Sequence, residues 1–270
     1  MQRAITMLGT GDALSLDCFN TCFVLQDGRT RMLVDAGGGN GVLLQLRRAG
    51  IRLEYIDYMF VSHTHTDHIL GAVWIVRMVA HQFRHGLRTK TFEIVGCNHT
   101  VETLISLCKL TLNQAETNLF GTKILFKVLS DGAAFSANDI RLKAFDTRSE
   151  KCPQFGFRAT LSNGLAVVFC GDEPLHKINF DISQGADLLL HEAFCTEEDS
   201  PLFSPHEKSH GTASEAGATA DCCGVKRLLL YHSAEPADSQ RAARYKADAA
   251  RYFKREILVP ADLEVIDLGN

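Results

Sequence analysis

Three histidines and one aspartate fall within six residues, at His63, His65, Asp67 and His68. They directly follow the apolar run Tyr58 to Val61, which predicts a strand that ends just before them. Residues two apart in an extended loop point to the same side, so His63 and His65 can converge on one point. Asp67 and His68 lie on the next turn and can serve a second point nearby. Imidazole nitrogens and carboxylate oxygens are suitable ligands for zinc, iron or manganese, so we expect a metal site rather than a solvated polar loop.

Short apolar runs elsewhere predict the strands that must hold this cluster, since most are about four to six residues long and lie near Gly, Asp, Asn or Ser. The predicted strands cover Ile5 to Leu8, Cys22 to Leu25, Arg31 to Val34, Tyr58 to Val61, Phe92 to Val95, Ile124 to Val128, Ile140 to Phe145, Phe155 to Thr160, Ala166 to Phe169, Leu188 to Leu190, Arg227 to Tyr231 and Leu263 to Ile266. Longer patterns predict helices over Gly41 to Ala49, Asp67 to His85, Thr100 to Leu112, Thr212 to Gly224 and Ser239 to Phe253.

The order of these elements indicates the fold class. Strand clusters come first in each half of the chain and helices follow, which favours two sheets with helices on their outer faces. We therefore predict an α+β fold, specifically an αββα sandwich. No Pro/Ser-rich linker and no low-complexity segment interrupts the sequence, so residues 1–270 are expected to form a single domain.

Composition indicates which partners and which cellular compartment to expect for the protein. A net charge of -4 gives no global basic field for binding nucleic acid. The nine cysteines include no Cys-x-x-Cys pair, and we interpret them as buried, reduced thiols of a reducing compartment. The chain starts directly with a strand-like run, without a signal peptide, and no apolar stretch approaches the roughly 20 residues of a membrane span. We expect a cytoplasmic protein with no membrane association.

The pattern His-x-His-x-Asp-His after a strand resembles the signature of the metallo-β-lactamase superfamily, and the resemblance extends over nearly the whole chain. LVDAG at 33–37 looks like the aspartate turn of that family, and GDE at 171–173 looks like its bridging-aspartate motif. LLYHS at 229–233 resembles the segment of the last ligand histidine. HEA at 191–193 and SHGTASEAG at 209–217 are similar to motifs of the ribonuclease Z branch. The resemblance implies a metallo-β-lactamase-like sandwich with metal ligands at its edge.

The resemblance also implies roles for individual residues. It gives a metal-ligand set of His63, His65, Asp67, His68, Asp172 and His232. The residues themselves agree, since Asp172 follows a buried strand and its carboxylate can bridge two cations. His210 precedes a helix cap and suits a general acid whose ring Glu192 orients, while Asp67 can also accept a proton. His191 is expected to be structural.

One expected ligand is missing. The family usually places a further metal-binding histidine shortly before a Gly-aromatic pair, and Arg148 stands there in this chain. Guanidinium has no lone pair to give, so Arg148 cannot ligate a cation. Three interpretations stay open: one metal binds well and the other weakly, a displaced His99 or His176 reaches the site, or Arg148 binds a substrate anion. We favour the first.

The expected function is a metal-dependent hydrolase, in which a metal-activated hydroxide cleaves a nucleotide or RNA-like phosphodiester. The cofactor is one or two divalent ions, with zinc favoured over manganese or iron. Ribonucleases Z that bind the transfer-RNA elbow carry a long Gly/Pro-rich arm, and here only a tight Ser162-Asn-Gly164 turn is found in its place. The partner is therefore a small-molecule or nucleic-acid phosphodiester, and the resemblance suggests a homodimer. The alternatives are hydrolysis of a thioester, lactone or sulfate ester, and a non-catalytic ligand-binding protein.

Overall fold

The computed structural model describes residues 2–234 and 240–269 of the chain. Its strands are β1 (Arg3–Gly9), β2 (Cys22–Asp27), β3 (Thr30–Val34), β4 (Tyr58–Phe60), β5 (Phe92–Gly96), β6 (Ile124–Val128), β7 (Ala134–Ala137), β8 (Ile140–Asp146), β9 (Phe155–Thr160), β10 (Ala166–Phe169), β11 (Leu188–Glu192), β12 (Arg227–Tyr231), β13 (Glu256–Leu258) and β14 (Val265–Asp267). Its α-helices are α1 (Gly41–Arg48), α2 (Thr66–Arg84), α3 (Asn98–Thr111), α4 (Gln114–Thr117), α5 (Phe180–Ser183), α6 (Ser200–Phe203), α7 (Ala213–Cys222) and α8 (Arg241–Ala249).

The strands form two sheets, each antiparallel on one side and parallel on the other. The first has the order β14-β1-β2-β3-β4-β5-β6, antiparallel up to β3 and parallel from β3 to β6. The second has the order β13-β12-β11-β10-β9-β8-β7, parallel from β13 to β10 and antiparallel beyond. Parallel neighbours need crossover connections, and these contain α1, α2, α3, α5, α7 and α8.

Three apolar cores separate four layers. The core between the sheets includes the edge-to-face pairs Phe23–Phe169 and Phe60–Phe157, with ring centroids 5.3 and 5.0 Å apart. A second core lies between the first sheet and helices α1 to α3, and a third between the second sheet and helices α7 and α8. Both faces of the central strands are therefore buried, which explains why their sequences read as continuous apolar runs.

This arrangement confirms the predicted αββα metallo-β-lactamase-like sandwich. Helices alternate with the parallel strands, however, and do not simply follow strand clusters as the sequence suggested. The sequence also missed β7 and β13, which are four and three residues long and carry too few large apolar residues to stand out. The last predicted helix begins at Ser239, outside the described residues, and is observed as α8. No helix in the described part of the chain is long and apolar enough to cross a membrane.

The parallel strands of both sheets direct their carboxyl ends to one edge of the sandwich. His63 lies in the loop after β4, Asp172 follows β10, Glu192 ends β11 and His232 follows β12. In sheets of this kind, side chains that follow the carboxyl ends of strands are placed to converge on a ligand. The fold thus gathers residues that are up to 169 positions apart in sequence (63 to 232).

Candidate metal centre and active site

The histidine motif spans the junction between β4 and α2. His65 is the N-cap residue of α2 in an extended conformation, and Asp67 lies in the first turn of the helix. A carboxylate there interacts favourably with the positive end of the helix dipole. The buried ring of His68 follows in the same turn, while His63 is fully buried in the preceding loop. The helix start therefore fixes the spacing between the two halves of the motif.

The described residues include four groups whose ligand-type atoms lie within 4.8 Å of one another, and two of these groups consist of predicted metal ligands. One consists of His63, His65 and Asp172, and the other of Asp67, His68 and His232. Asp172 joins them, because its Oδ2 atom lies 3.9 Å from both His68 Nε2 and His232 Nε2. The six predicted ligands therefore come together in one cluster, which we name the His/Asp cluster.

Hydrogen bonds hold the rings of the first half of the cluster from behind. His68 Nδ1 lies 2.8 Å from Asp35 Oδ2, and Ser62 Oγ donates to the same oxygen at 2.7 Å. Asp35 Oδ1 accepts the Ser62 backbone N–H at 2.7 Å, and Ser62 Oγ lies 2.8 Å from His63 Nδ1. Such partners fix the ring orientation of metal-binding histidines and direct the other ring nitrogen toward the ion.

Matching contacts hold the remaining rings. His232 Nδ1 lies 3.1 Å from Thr21 Oγ1, which itself donates to the carbonyl of Gly11 at 2.9 Å. His65 Nε2 lies 3.7 Å from Cys152 Sγ, so its Nδ1 atom faces the cluster. His232 also adopts a left-handed backbone with φ of 63°, which is uncommon for a non-glycine residue and is often retained at functional sites.

Several buried atoms of the cluster have no hydrogen-bond partner in the described structure. They are Asp67 Oδ2, His68 Nε2 and Asp172 Oδ1. Asp67 Oδ2 and His68 Nε2 lie 3.1 Å apart but without hydrogen-bond geometry. Leaving such groups buried and unpaired is costly, and a cation would satisfy all three. The donor set, nitrogen and carboxylate oxygen, fits a divalent metal ion of the zinc, manganese or iron type.

The protonation of the cluster also favours a cation. Burial lowers the pKa of His232 to about 3, so this ring is neutral and its lone pair is free. Burial opposes a proton on His68 as well, but Asp67 and Asp35 outweigh it and raise the pKa of His68 well above its usual value. Burial would raise the pKa of Asp172, yet His63 and His65 hold it well below its usual range. The cluster thus keeps its carboxylates ionised and attracts positive charge at His68, where a metal ion would replace the proton.

His210 and Glu192 lie beside the cluster. His210 shares a group with Asp172 and His232, and its ring stacks on Phe194 with centroids 4.6 Å apart and an angle of 4°. Its Nδ1 atom is 3.6 Å from Glu192 Oε2, while Glu192 Oε1 accepts the Gly211 backbone N–H at 2.7 Å. The predicted pair is therefore in place, with the carboxylate behind the ring.

His191 is structural in this arrangement, as the sequence predicted. Its Nδ1 donates to the carbonyl of Glu192 at 2.7 Å, and its Nε2 accepts the Leu175 backbone N–H at 3.0 Å. Both nitrogens are thus used, and burial lowers the pKa of His191 to about 4. The ring is neutral and cannot transfer a proton without breaking one of these bonds.

Arg148, predicted to contact substrate, is not brought to the cluster. Its guanidinium is half-exposed and pairs with Asp131 Oδ2 at 2.7 Å and Asp146 Oδ2 at 3.2 Å. These two carboxylates already satisfy the charge, which gives a physical reason for its outward position. Lys151, three residues later, does reach the cluster, with its Nζ atom 3.8 Å from Asp172 Oδ2. Neither His99 nor His176 belongs to a ligand group among the described residues.

A cavity of about 600 Å³ opens directly onto the cluster. His65, Asp67, Asp172, His210 and His232 form its floor, and its walls mix apolar and basic side chains, namely Leu14, Phe194, Phe203, Lys151 and Lys208. Arg148 is not among the residues that line it. The cavity is large enough for a small organic ligand and offers two ammonium groups to an anion.

Several residues that support the site were not predicted to be functional. Asp35 lay within a recognised motif, but nothing in the sequence connected it to His68. Thr21 and Ser62 carried no signal at all, since a single hydroxyl residue at a strand end is common. Lys151 carried no signal either, since Arg148, and not Lys151, stands at the position of the expected histidine.

Comparison with known proteins places the chain in a family. Residues 3–207 match the family model of the anti-Pycsar protein Apyc1. This chain belongs to the Apyc1 family. The matched region contains the histidine motif, Asp172 and Glu192, whereas His210 and His232 lie beyond its end.

Proteins similar to this chain confirm the predicted resemblance to ribonuclease Z and to the metallo-β-lactamase fold. Ribonuclease Z of Mycobacterium sp. strain KMS is 25% identical over 290 residues, covering 98% of this chain and 95% of the relative. The metallo-β-lactamase fold protein YhfI of Bacillus subtilis superposes with a TM-score of 0.80 at 21% identity, over 99% of this chain and all of YhfI. Human tRNase Z, short form, gives a TM-score of 0.76 at 22% identity, over 99% of this chain and all of the human protein.

Proposed function

We propose that this protein is a metal-dependent phosphodiesterase that hydrolyses a nucleotide or RNA-like phosphodiester. The observation that carries the proposal is the sharing of Asp172 between two ligand groups, with unpaired buried donor atoms, directly beside His210. The relatives named ribonuclease Z and tRNase Z support phosphodiester chemistry. Zinc is the metal we propose, because imidazole and carboxylate donors in a buried pocket suit it.

We assign the metal to Asp67, His68, Asp172 and His232, since the first three carry buried atoms without a hydrogen-bond partner and His232 shares a ligand group with Asp67 and His68. The bound cation would lower the pKa of a water molecule towards ~7 and so make a nucleophile available at neutral pH. Asp67 and Asp172 would keep the cation anchored with their ionised carboxylates. Asp35 and Thr21 would hold the rings of His68 and His232 in the tautomer that directs Nε2 to the ion.

His210 is the proposed general acid. Its ring faces the cavity on the side of Asp172 and His232, and about a tenth of the side chain is exposed there. A proton on its Nε2 atom can pass to the oxygen that leaves phosphorus, while Glu192 behind Nδ1 stabilises the charged ring. Phe194 fixes the plane of the ring by stacking, so the proton donor is held in one orientation.

The cavity supports a small phosphodiester as the substrate. Lys208 places its ammonium 5.0 Å from the centroid of the Phe194 ring, and both residues line the cavity. Basic and aromatic side chains together suit a phosphate attached to a base or another ring. The segment between β9 and β10 is a short turn around Gly164 and carries no arm for a larger nucleic acid.

A substrate panel tests the proposal against its alternatives. The metal-loaded protein should hydrolyse bis-p-nitrophenyl phosphate and dinucleotides faster than thioester, lactone or sulfate ester substrates. Faster turnover of one of those ester classes would replace the phosphodiesterase proposal with that activity. Absence of turnover on every substrate, together with absence of bound metal, would favour the non-catalytic alternative.

Further expectations from the sequence remain proposals. We propose a homodimer, supported by apolar side chains exposed along α2 and α3, among them Leu70, Trp74 and Leu110. Light scattering of wild-type and Trp74→Glu protein would test it, with a monomeric variant as the expected result. We also propose one domain over residues 1–270 and a cytoplasmic location, the latter supported by the burial of seven of the nine cysteines, as suits reduced thiols.

A further inference from the structure

We propose that a second site, at the edge of the sandwich opposite the His/Asp cluster, binds a diphosphate or triphosphate anion, either inorganic or carried by a nucleotide. The site is a cavity of about 520 Å³ lined by residues from the segments 28–31, 52–57 and 87–90, which we name the basic cavity. These segments lie at the amino ends of β3, β4 and β5, whereas His63, Asp172 and His232 follow the carboxyl ends of strands. The inference is therefore independent of the proposed function.

The basic cavity holds more positive charge than its own carboxylates neutralise. Five cationic side chains line it against two carboxylates, an excess of three positive charges in a chain whose net charge is -4. The cations are Arg29, Arg31, Arg52, Arg88 and Lys90, and the carboxylates are Glu54 and Asp57. Asp57 lies 3.1 Å from Arg88 and 3.6 Å from Lys90, and Glu54 lies 3.5 Å from Arg52. Neither Arg29 nor Arg31 forms an ion pair with any residue that the structure describes.

The Tyr55 ring holds the guanidinium groups of Arg31 and Arg52 near each other. Their Cζ atoms lie 5.8 and 4.9 Å from the ring centroid, within the range of a cation–π contact. Arg31 Nε also donates to Gln26 Oε1 at 3.1 Å, so a neutral amide orients this guanidinium without cancelling its charge. An anion that contacts both groups would relieve the repulsion between two like charges held at one ring.

A buried arginine fixes the floor of the basic cavity. The side chain of Arg88 is only 1% exposed, and its Nη2 atom donates to the carbonyls of Leu53 and Ile56 at 2.5 and 2.7 Å. These bonds tie residues 52–57 to residues 87–90. The cations of both segments are therefore held in one frame by packing within the protein.

The charge and the donors of the basic cavity match a polyphosphate group. Guanidinium groups bind phosphate oxygens through two parallel hydrogen bonds. A terminal phosphate carries about two negative charges at neutral pH and each inner phosphate about one, so a diphosphate or triphosphate balances the excess in the cavity. No histidine or cysteine of the described chain lines the cavity, and both of its carboxylates are paired. The site therefore offers binding and no group for catalysis.

Titration calorimetry with pyrophosphate and ADP tests the proposal. Both probes chelate zinc, so the titrations use metal-free protein, and the ADP titration is repeated at buffered free Zn²⁺. Arg29→Gln and Arg31→Gln each remove one unpaired cation. Arg141→Gln combined with Lys143→Gln is the matched control, because it removes two exposed positive charges from β8, outside the basic cavity. Lys208→Gln tests the rival position, the cavity beside the His/Asp cluster. Thermal denaturation would confirm that each variant is folded.

We expect pyrophosphate and ADP to bind wild type and adenosine not to bind. Arg29→Gln and Arg31→Gln should each weaken binding about tenfold or more, as expected for losing a hydrogen bond between charged groups. The β8 control and Lys208→Gln should change the affinity less than about twofold. Tighter binding of ADP than of pyrophosphate would identify a nucleotide as the ligand, and equal affinities would show that the phosphates alone are recognised. Absence of binding by both probes, an equal loss in the β8 control, or a loss in Lys208→Gln that the arginine variants do not show would overturn the proposal.

Discussion

Replacing Asp35 with asparagine should weaken metal binding although Asp35 is not a ligand. The Asp35 carboxylate accepts three short hydrogen bonds, from the Ser62 backbone N–H, from Ser62 Oγ and from His68 Nδ1, at 2.7, 2.7 and 2.8 Å. An amide offers one oxygen and one NH₂ group, so in either orientation at least one of these donors faces another donor. If the NH₂ group faces His68, the ring proton moves to Nε2 and the lone pair that binds the ion is lost.

The expected losses of metal affinity and of folding stability follow from these contacts. Loss of a buried partner of a ligand histidine typically lowers metal affinity by about 10–100-fold, which corresponds to about 1.4–2.7 kcal/mol. The buried donor left without an acceptor should also cost about 1–3 kcal/mol of folding stability in metal-free protein. We would measure zinc affinity by competition with a coloured chelator, and stability by chemical denaturation of the metal-free protein.

Asp27→Asn is a matched control for this experiment. Asp27 is also buried and also accepts a serine backbone N–H and hydroxyl, from Ser162 at 2.6 and 2.9 Å, but it contacts no ligand of the cluster. We expect Asp27→Asn to lose stability with unchanged zinc affinity, and Asp35→Asn to lose both. Zinc affinity within threefold of wild type in Asp35→Asn, or an equal loss in Asp27→Asn, would refute the role given to Asp35.

Three further predictions follow from the site. His210→Ala should lower kcat by about 10²–10⁴-fold with zinc content unchanged. The loss should be greater for a dinucleotide than for bis-p-nitrophenyl phosphate, because the p-nitrophenolate leaving group needs no acid. An equal loss on both substrates would exclude general-acid catalysis by His210. Arg148→Ala should change KM less than about twofold, because its guanidinium pairs with Asp146 and Asp131 and not with substrate; a tenfold increase in KM would restore its predicted role. Burial lowers the pKa of His191 to about 4, so its stabilising effect is complete above about pH 6.5 and is lost as the pH falls towards 4, by about 3 kcal/mol. Chemical denaturation of wild type and His191→Gln at pH 7 and 4.5 measures this loss, which should lower the free energy of unfolding of wild type relative to the variant at pH 4.5. A difference in the free energy of unfolding that does not change with pH would contradict the prediction.

Much of the cluster was predictable because its signal is local. His63, His65, Asp67 and His68 lie within six residues after a strand, and that pattern alone indicated metal ligands. The strands β4, β10 and β12 were predictable as well, since burial on both faces makes them continuous apolar runs. Their shared edge then brings Asp172 and His232 to the motif.

The parts of the site that the sequence did not predict depend on contacts between distant segments. Arg148 pairs with Asp131 across the hairpin of β7 and β8, 17 residues apart in sequence, and no pattern of spacing encodes that contact. The loop between β8 and β9 turns Lys151 inward, where its Nζ atom lies 3.4 Å from Glu173 Oε1 and its backbone N–H donates to Ser149 Oγ at 3.1 Å. These contacts depend on tertiary packing and leave no pattern in the sequence. The contact of Asp35 with His68 joins the end of β3 to a helix 33 residues later, so the sequence indicated the aspartate turn but not its partner.

Metal dependence of phosphodiester hydrolysis tests the central claim most directly. Purified protein would be stripped with a chelator, and turnover of bis-p-nitrophenyl phosphate would be measured before and after adding back Zn²⁺, Mn²⁺ or Fe²⁺, with Asp172→Asn in parallel. We predict that stripping abolishes turnover, that one of these ions restores it in wild type, and that Asp172→Asn stays inactive. Turnover that persists without metal, or that no metal restores to protein that remains folded, would contradict the assignment of a metal-dependent phosphodiesterase.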